Sequence, residues 1–578
     1  MLMDQPHRRQ FSGIQRLFFF SRSRSTWHGV FWMVLMLTLL ALFGTVLTFT
    51  IWNHTRRHTT GKREHQALCL TPSCIMASGV LIRFLNRSVD PCDDFYTFAC
   101  GGWLRDNPRP PKEDRWGQFE VLKMNNLNSL HKLIGNSELR TDSEAIQKTR
   151  LFYSACMHRK NLFKGGIEQL QHIIDQECFF TQMSRPMMQV NNSVSDLHNY
   201  FLWSLVRKLL PHLDPMLERL NMKLQQALYG KGLDDDKPQW KFCTETTNQA
   251  FGLSLGLLFA KGRFSSALRR EVEDMIQLIK QGFGSNLDSL TWLDMKTRDA
   301  AKEKMERMRE HIGFPEEAMK PKLLDKFYAK FRVSEEHFSN MLEFYKFESH
   351  QLSMSLRTTD SGNHRWTMLP QTGNTYYSSI DNSMVFPAGV LQSPLYHSDY
   401  PMSINFGALG SIIGHELSHA FDNQGRRFNA KGDLKNWWTK TALVEFKNRT
   451  ACLANWFEKY SAAGDRVNGQ QTLGENIADG GGLRAAYTAY SLWEKEHGPE
   501  DNLPAVNLTR QQLFFTAFAQ TWCSSESESF LQEQLREGKH SPARFRVLGT
   551  LSNSPEFSQH FHCPLDSPMN PSTKCSLW

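Results

Sequence analysis

No internal repeat and no low-complexity tract interrupts the 578 residues of this chain, which excludes folds built from stacked repeats. No excess of one charge covers it either. Half of its net charge of +8 sits in residues 1–26, where Arg8, Arg9, Arg16, Arg22 and Arg24 face a single Asp4. The +4 left to the rest of the chain is too dilute for a nucleic-acid footprint, so no nucleic-acid partner is expected. A mean hydropathy of −0.46 excludes a multispanning membrane protein. With 40% hydrophobic and 22% charged residues, the composition excludes collagen, a coiled-coil rod and a mostly disordered chain. The length is too great for one small core, so two or more lobes are expected.

Two local absences set the compartment. Gly29 to Trp52 contains no charged residue, long enough at ~1.5 Å per residue to cross a ~30 Å hydrocarbon layer. Trp27 and Trp52 bracket it, as interfacial rings do. Cysteine is absent before Cys69, and all eleven cysteines follow. N-x-S/T sequons at Asn86, Asn191, Asn448 and Asn507 also fall after the run. Basic residues flank it almost equally, so the cysteines and sequons decide the orientation: they suit an oxidising, extracellular side. The expected order is a cytoplasmic tail (1–27), a transmembrane signal anchor (28–52) in the lipid bilayer, a stalk (53–68) and an ectodomain (69–578). That is a single-pass type II protein of the plasma membrane. Apolar spacing of three and four, as in Leu257–Ile279 and Asp294–Met308, predicts helices through most of 120–355. From Arg365 on, Gly, Asn, Pro and aromatic residues predict short strands and loops.

The chemistry starts at Ser411-Ile-Ile-Gly-His-Glu-Leu-Ser-His-Ala-Phe421, which contains H-E-x-x-H. On a helix, His415 and His419 lie one turn apart on one face and can offer two imidazoles to a zinc ion. Glu416 can face an attacking water. About 0.04 such matches are expected by chance in a chain of this composition. A catalytic zinc needs a third protein ligand. Leu473-Gly-Glu-Asn-Ile-Ala-Asp479 supplies the candidate, Glu475, with Asp479 one turn on to accept the free N–H of a ligand histidine. The run Gly480–Gly482 fits a helix turning against something closely packed.

These motifs, with Asn374-Thr-Tyr-Tyr377, Val385-Phe-Pro-Ala-Gly389, Asn436-Trp-Trp438 and the terminal Cys575-Ser-Leu-Trp578, resemble the neprilysin family of membrane zinc endopeptidases. The resemblance spans nearly the whole ectodomain. It implies a mainly α fold with small β elements: a two-lobed, gluzincin-type zinc peptidase on one N-terminal signal anchor. Residues 150–360 would form a helical lobe, and 69–149 with 361–578 a catalytic lobe. One zinc per chain would be held by His415, His419 and Glu475, with Glu416 as general base. By resemblance, His540 stabilises the oxyanion and Arg546 binds a substrate carbonyl. Asn374 would pair with substrate backbone, and Arg115 would meet a terminal carboxylate. Phe119, Val390, Leu395, Ile412 and Trp522 would form the pocket for the residue after the scissile bond. Small extracellular peptides are the expected substrates.

The family pattern also implies disulfides Cys69–Cys74, Cys92–Cys563, Cys100–Cys523, Cys156–Cys243 and Cys452–Cys575, leaving Cys178. A family member with an extra juxtamembrane cysteine bonds a membrane partner through it. No cysteine lies between Trp52 and Cys69, so no disulfide-linked membrane partner is expected. The interval from Cys156 to Cys243 is shorter than the family's by very roughly 150–180 residues, with the shortening placed near 180–192.

Overall fold

The computed structural model describes residues 67–135, 143–158, 168, 170–172, 194–213, 215–229, 237–315, 320–357 and 366–578, and six residues nearer the N-terminus. Those six, Met33, Leu35, Met36, Gly44, Thr45 and Thr48, are helical. The rest of the expected span 28–52 lies outside the described residues, as do Cys178, Asn191 and the stretch 180–192. Among the described residues no helix is long and apolar enough to cross a membrane. The chain divides into two units, Met1–Ala67 and Leu68–Trp578.

The Leu68–Trp578 unit is mainly helical. It opens with α1 (Pro72–Phe84) and α2 (Phe95–Asp106), started by Thr71 and Asp94, whose side-chain oxygens accept the N–H groups of Cys74 and Thr97. Then come β1 (Arg115–Gly117), α3 (Gln118–Gly135), α4 (Glu144–Met157), α5 (Val194–Leu213), α6 (Pro215–Tyr229), α7 (Gln239–Ala250) and α8 (Gly252–Arg263). The apolar period from Leu257 to Ile279 is not one helix. Ser265 accepts the N–H of Leu268 and starts a new one, α9 (Ser266–Ser289). Next are α10 (Met295–Glu306), β2 (Arg309–Gly313), α11 (Pro321–Phe327), α12 (His337–Arg357), β3 (Tyr376–Ser378) and β4 (Ser383–Pro387). A π-helical turn, Phe406–Gly410, joins α13 (Met402–Asn405) to α14 (Ser411–His419). The unit ends with α15 (Lys440–Phe457), β5 (Ser461–Ala462), β6 (Asp465–Arg466), α16 (Leu473–His497), α17 (Arg510–Thr521), β7 (Ser524–Glu526), α18 (Glu528–Glu537), α19 (Ala543–Ser552) and α20 (Pro555–His560).

The strands are few and short. β2 pairs parallel with β4, and β3 pairs antiparallel with the other side of β4. β3 is therefore an edge. β1 pairs with β7, holding Arg115 opposite Glu526.

Two main hydrophobic cores share this unit. The first joins Phe95, Val272, Ile276, Phe283, Ile413, Leu417, Phe446, Ile477, Phe514 and Val547, from α2, α9, α14, α15, α16, α17 and α19. The second joins Leu130, Ile146, Phe152, Phe242, Phe251, Leu258, Leu324, Phe331 and Met341, from α3, α4, α7, α8, α11 and α12. The division departs from the expected lobes. Residues 272–312, expected with the helical lobe, pack in the first core, because the apolar face of α9 lies on α16. Leu130, Ala145 and Ile146, expected with the catalytic lobe, pack in the second.

The five expected disulfides are formed, with Cα–Cα separations from 5.2 to 5.8 Å. Cys92–Cys563 and Cys100–Cys523 tie the beginning of the unit to its end. The last residue, Trp578, is 4% exposed. Its ring meets Phe283, Trp292, Phe421 and Trp438, and its carbonyl accepts from Arg484 at 2.7 Å. The motif Asn436-Trp-Trp438 and the C-terminal motif are thus one aromatic cluster in space.

The centre of the first core is the crossing of α14 and α16. A Cβ on Gly414 would lie 2.5 Å from the Gly482 carbonyl oxygen, and one on Gly482 would lie 2.4 Å from the backbone nitrogen of His415. Gly480–Gly482 therefore does not turn the chain; α16 runs straight through it, and the missing side chains let two backbones touch. Gly482→Ala is expected to push α16 off α14 and to cost about 1–3 kcal/mol. A lower midpoint in denaturant, together with reduced zinc content, checks it; an unchanged midpoint would refute the contact.

Candidate active site

α14 and α16 cross so that side chains from both project to one point. One ligand atom each from His415, His419 and Glu475 lie within 4.8 Å of one another. The Nε2 atoms of His415 and His419 are 3.0 Å apart. Glu475 Oε2 lies 3.3 Å from the first and 3.6 Å from the second.

The far nitrogen of each imidazole has its own carboxylate. His415 Nδ1 is 2.8 Å from Asp479 Oδ1, and His419 Nδ1 is 2.7 Å from Asp422 Oδ2. A proton donated there leaves both Nε2 atoms as lone pairs aimed at each other. Two lone pairs and a carboxylate oxygen converging in a buried pocket repel one another unless a positive charge sits among them. The Glu475 oxygen that faces them is buried and receives no well-aligned hydrogen bond. Burial pushes both imidazoles towards the neutral form, but the carboxylates outweigh it and raise both pKa values, His419 well above the ordinary range. Burial would likewise raise Glu475, yet the three imidazoles around it hold it far below the usual carboxylate range. The pocket draws positive charge, a proton or a metal cation. Its donor set, two imidazoles and one carboxylate, fits zinc.

Asp479 is 3% exposed and accepts two hydrogen bonds from Arg546, at 2.7 and 2.6 Å. Burial pushes its pKa up, but the guanidinium wins and holds it at about 2. Arg546 in turn lies with its Cζ 3.8 Å from the centre of the Trp522 ring. Two of its N–H groups are thus spent on Asp479, which locks the acid that orients His415.

Glu416 is 5% exposed, next in sequence to His415, and accepts from the Thr375 hydroxyl at 2.5 Å. His540 Nε2 lies 3.1 Å from Glu475 Oε2, with its side chain half exposed. Arg115 donates to Ser524 Oγ at 3.2 Å and sits 3.6 Å from both Glu120 and Glu526. Its charge is therefore shared with two carboxylates.

These groups line one cavity of about 1060 Å³. Asn374, Arg115, Phe119, Ile412, Trp522, His540, Arg546 and the zinc-site residues all reach it. Phe119 and Trp522 stand with ring centres 5.5 Å apart on its wall. Val390 and Leu395 do not line it. Val390 is wholly buried in the turn after β4, its N–H bonded to the Pro387 carbonyl, and Leu395 is 2% exposed. Both side chains fill the first core.

Two residues escaped the sequence reading. Thr375 lies within a motif but gave no sign of touching Glu416. Asp422 stands three residues after His419, the one local cue to its bond with that imidazole. Its other oxygen accepts from the backbone of Gln424 and Gly425. The same loop is held by Lys304, 1% exposed, whose ammonium donates to the carbonyls of Ala420, Gly425 and Phe428 at 2.7–2.8 Å.

A buried His-Glu-x-x-His helix with a glutamate from a second helix defines a zinc-dependent peptidase site. Known proteins agree. A model described as Peptidase family M13 matches residues 374–577, and a companion model for the same family matches residues 91–178 and 172–315. Endothelin-converting enzyme 1 of Bos taurus is 32% identical over 677 positions, covering 89% of each chain. Human endothelin-converting enzyme-like 1 is 42% identical over 385 positions, 66% of this chain and 49% of its own. The fold matches the zinc metalloprotease Zmp1 of Mycobacterium tuberculosis at a TM-score of 0.70 and 19% identity, over 86% of this chain and 98% of that one. PepO of Lactobacillus rhamnosis gives 0.71 at 18%, over 83% and 98%. The chain belongs to peptidase family M13 and is a zinc metalloendopeptidase.

The shortening also shows. The alignment with the bovine enzyme runs over 677 positions, while 89% of 578 residues is about 514, so about 160 positions hold no residue of this chain. The two matched N-terminal pieces meet at 172–178, just before the expected 180–192.

Asp479→Asn removes the acceptor that fixes the His415 tautomer. Zinc affinity should fall ~10–100-fold, read by competition with a chelator. An affinity equal to that of the unsubstituted chain would mean that Asp479 serves Arg546 alone.

Proposed function

We propose that this chain is a single-pass type II protein of the plasma membrane. Its Leu68–Trp578 unit lies outside the cell and cleaves small peptides before an apolar residue, with one zinc per chain. The observation that carries the chemistry is the pair of imidazole nitrogens, 3.0 Å apart, facing Glu475 with Glu416 alongside. The oriented uncharged run 29–52, the cysteines and the sequons support the topology. Within the family, His364-Arg-Trp366, His397-Ser-Asp-Tyr-Pro401 and Asn405-Phe-Gly-Ala408 resemble the Kell blood-group glycoprotein.

Zinc held by His415, His419 and Glu475 would lower the pKa of water to roughly 7 and polarise the scissile carbonyl. The remaining work falls to side chains. Glu416, oriented by the Thr375 hydroxyl, takes the proton of the attacking water and passes it to the leaving amine. His540, at the cavity edge beside Glu475, donates to the oxyanion. The edge of β3, preceded by Asn374, offers main-chain groups to an extended peptide. Phe119, Ile412 and Trp522 receive the apolar side chain after the cut bond, and the carbonyl near it meets Arg546. Arg115, tempered by Glu120 and Glu526, faces the substrate's far end. A cavity of about 1060 Å³ admits a short peptide and not a folded domain.

One observation favours a second reading, a surface glycoprotein without turnover. The shortened region leaves Tyr200, Phe201 and Trp203 of α5 and Leu352 and Leu356 of α12 in solvent. Exposed apolar groups of this kind mark a surface for a partner.

Glu416→Gln separates the two. It should keep about one zinc and lose ~10²–10⁴-fold in kcat on a mixed peptide library, with zinc counted by mass spectrometry. Cleavage by the variant at the parent rate would refute the mechanism. Zinc without cleavage in the parent chain would favour the second reading.

A further inference from the structure

We propose that the outer face of α1 rests on the surface of a lipid bilayer. The polarity of this helix is inverted. Its inward face is Ser73, Cys74, Ala77, Ser78 and Leu81, all buried, with Cys74, Ala77 and Leu81 packed among Ile404 of α13 and Leu513 and Ala517 of α17. Its outward face carries Ile75 at 53% exposure, Met76 at 55%, Val80 at 43% and Ile82 at 37%. At 100° per residue these four, with Pro72 and Gly79, occupy one half of the helix circumference. Leu68 and Leu70, just before the helix, are 55% and 66% exposed. The only charge on that half is Arg83. A helix that buries serines and shows isoleucines to solvent loses free energy in water and gains it in the headgroup–acyl boundary.

Two further observations choose lipid as the occupant. The chain leaves the expected span at Trp52 and enters the folded unit at Leu68. Sixteen residues reach at most ~55 Å when fully extended, so the tether keeps α1 within that reach of the bilayer; here the inference rests on the proposed anchor. The charge also suits the phosphates of lipid headgroups. No acidic residue occurs between Glu64 and Asp90, while Arg83 and Arg87 do. Arg83 is exposed, 3.7 Å from Asp106, and its stem can lie along the apolar face with its head among phosphates. Arg87 donates to the carbonyls of Ala505 and Val506. Asp399 accepts from Ser73 at 3.3 Å, on the inward face.

The test places a benzophenone amino acid at Met76 of the full chain, in vesicles of phosphatidylcholine. A matched probe replaces Val444, an aliphatic residue of α15 that is 57% exposed. After irradiation, lipid adducts at position 76 should exceed those at 444 by ~tenfold. Ile75→Ser with Val80→Ser should reduce the excess to about twofold or less. Equal yields at both positions overturn the inference, and so do adducts at 76 to another protein or to a second copy of this chain. Alkaline carbonate extraction of the same membranes tests the anchor separately. Chain stripped by carbonate with lipid adducts at 76 means that the anchor fails and the surface contact stands. Chain retained without adducts means the reverse.

Discussion

The structure depends on two backbones touching. Where α14 crosses α16, Gly414 and Gly482 leave no room for a Cβ on either helix. Only at that distance can side chains from the two helices share one ion-sized space: His415 and His419 from one and Glu475 from the other, with Asp479 behind His415. A wider separation would leave Glu475 out of reach of the imidazoles. The contact is supported from behind. A Cβ on Gly282 of α9 would lie 2.6 Å from the Ala485 carbonyl of α16, so α16 is pressed between two close neighbours. Gly481 stands against Ser418 and Trp578, which places the C-terminal residue in the same packing problem.

Around this crossing the charges are arranged in pairs that each leave one interaction for the centre. Asp479 neutralises Arg546 and still accepts from His415. Asp422 accepts two backbone N–H groups and still accepts from His419. Lys304 caps three carbonyls behind the same loop without entering the cavity. Buried charges are costly when unpaired, so a pocket with Glu475 facing two lone pairs is tolerable only if a cation completes it. The donor set thus calls for a cation, and the hydrogen bonds behind it fix its geometry beforehand.

Sequence made the local part of this legible. His415, Glu416 and His419 form a pattern within one turn, as do Glu475 and Asp479, because helix geometry ties neighbours in sequence to neighbours in space. The cysteine pairs followed from resemblance. What needed tertiary structure stayed hidden. Thr375 reaches Glu416 across 41 positions. Val390 looks like any apolar residue of a pocket, and only the turn after β4 turns it into the core. The break at Ser265 was masked because the apolar period continues through it, although the serine cap was present in the sequence. The division into two cores is hidden for a similar reason: α9 and α10 are as helical as their neighbours, and only their packing partners assign them to the first core.

The two cores explain how so large a shortening can leave the site intact. Every buried member of the first core lies at or before Leu122, or at or after Val272. Among the described residues, the segment between them gives most of its buried apolar side chains to the second core and a smaller cluster, and only Phe264 and Leu268 touch the first from its edge. The shortening falls between α4 and α7, which pack together and are joined by Cys156–Cys243. For ends already pinned, the entropy of the connecting loop changes only as the logarithm of its length, by about 0.6 kcal/mol per doubling. The ligand helices therefore take their buried apolar neighbours from outside the span between these cysteines. Tyr200 and Phe201 of α5 and Leu356 of α12, which stand in solvent, are all outside the first core.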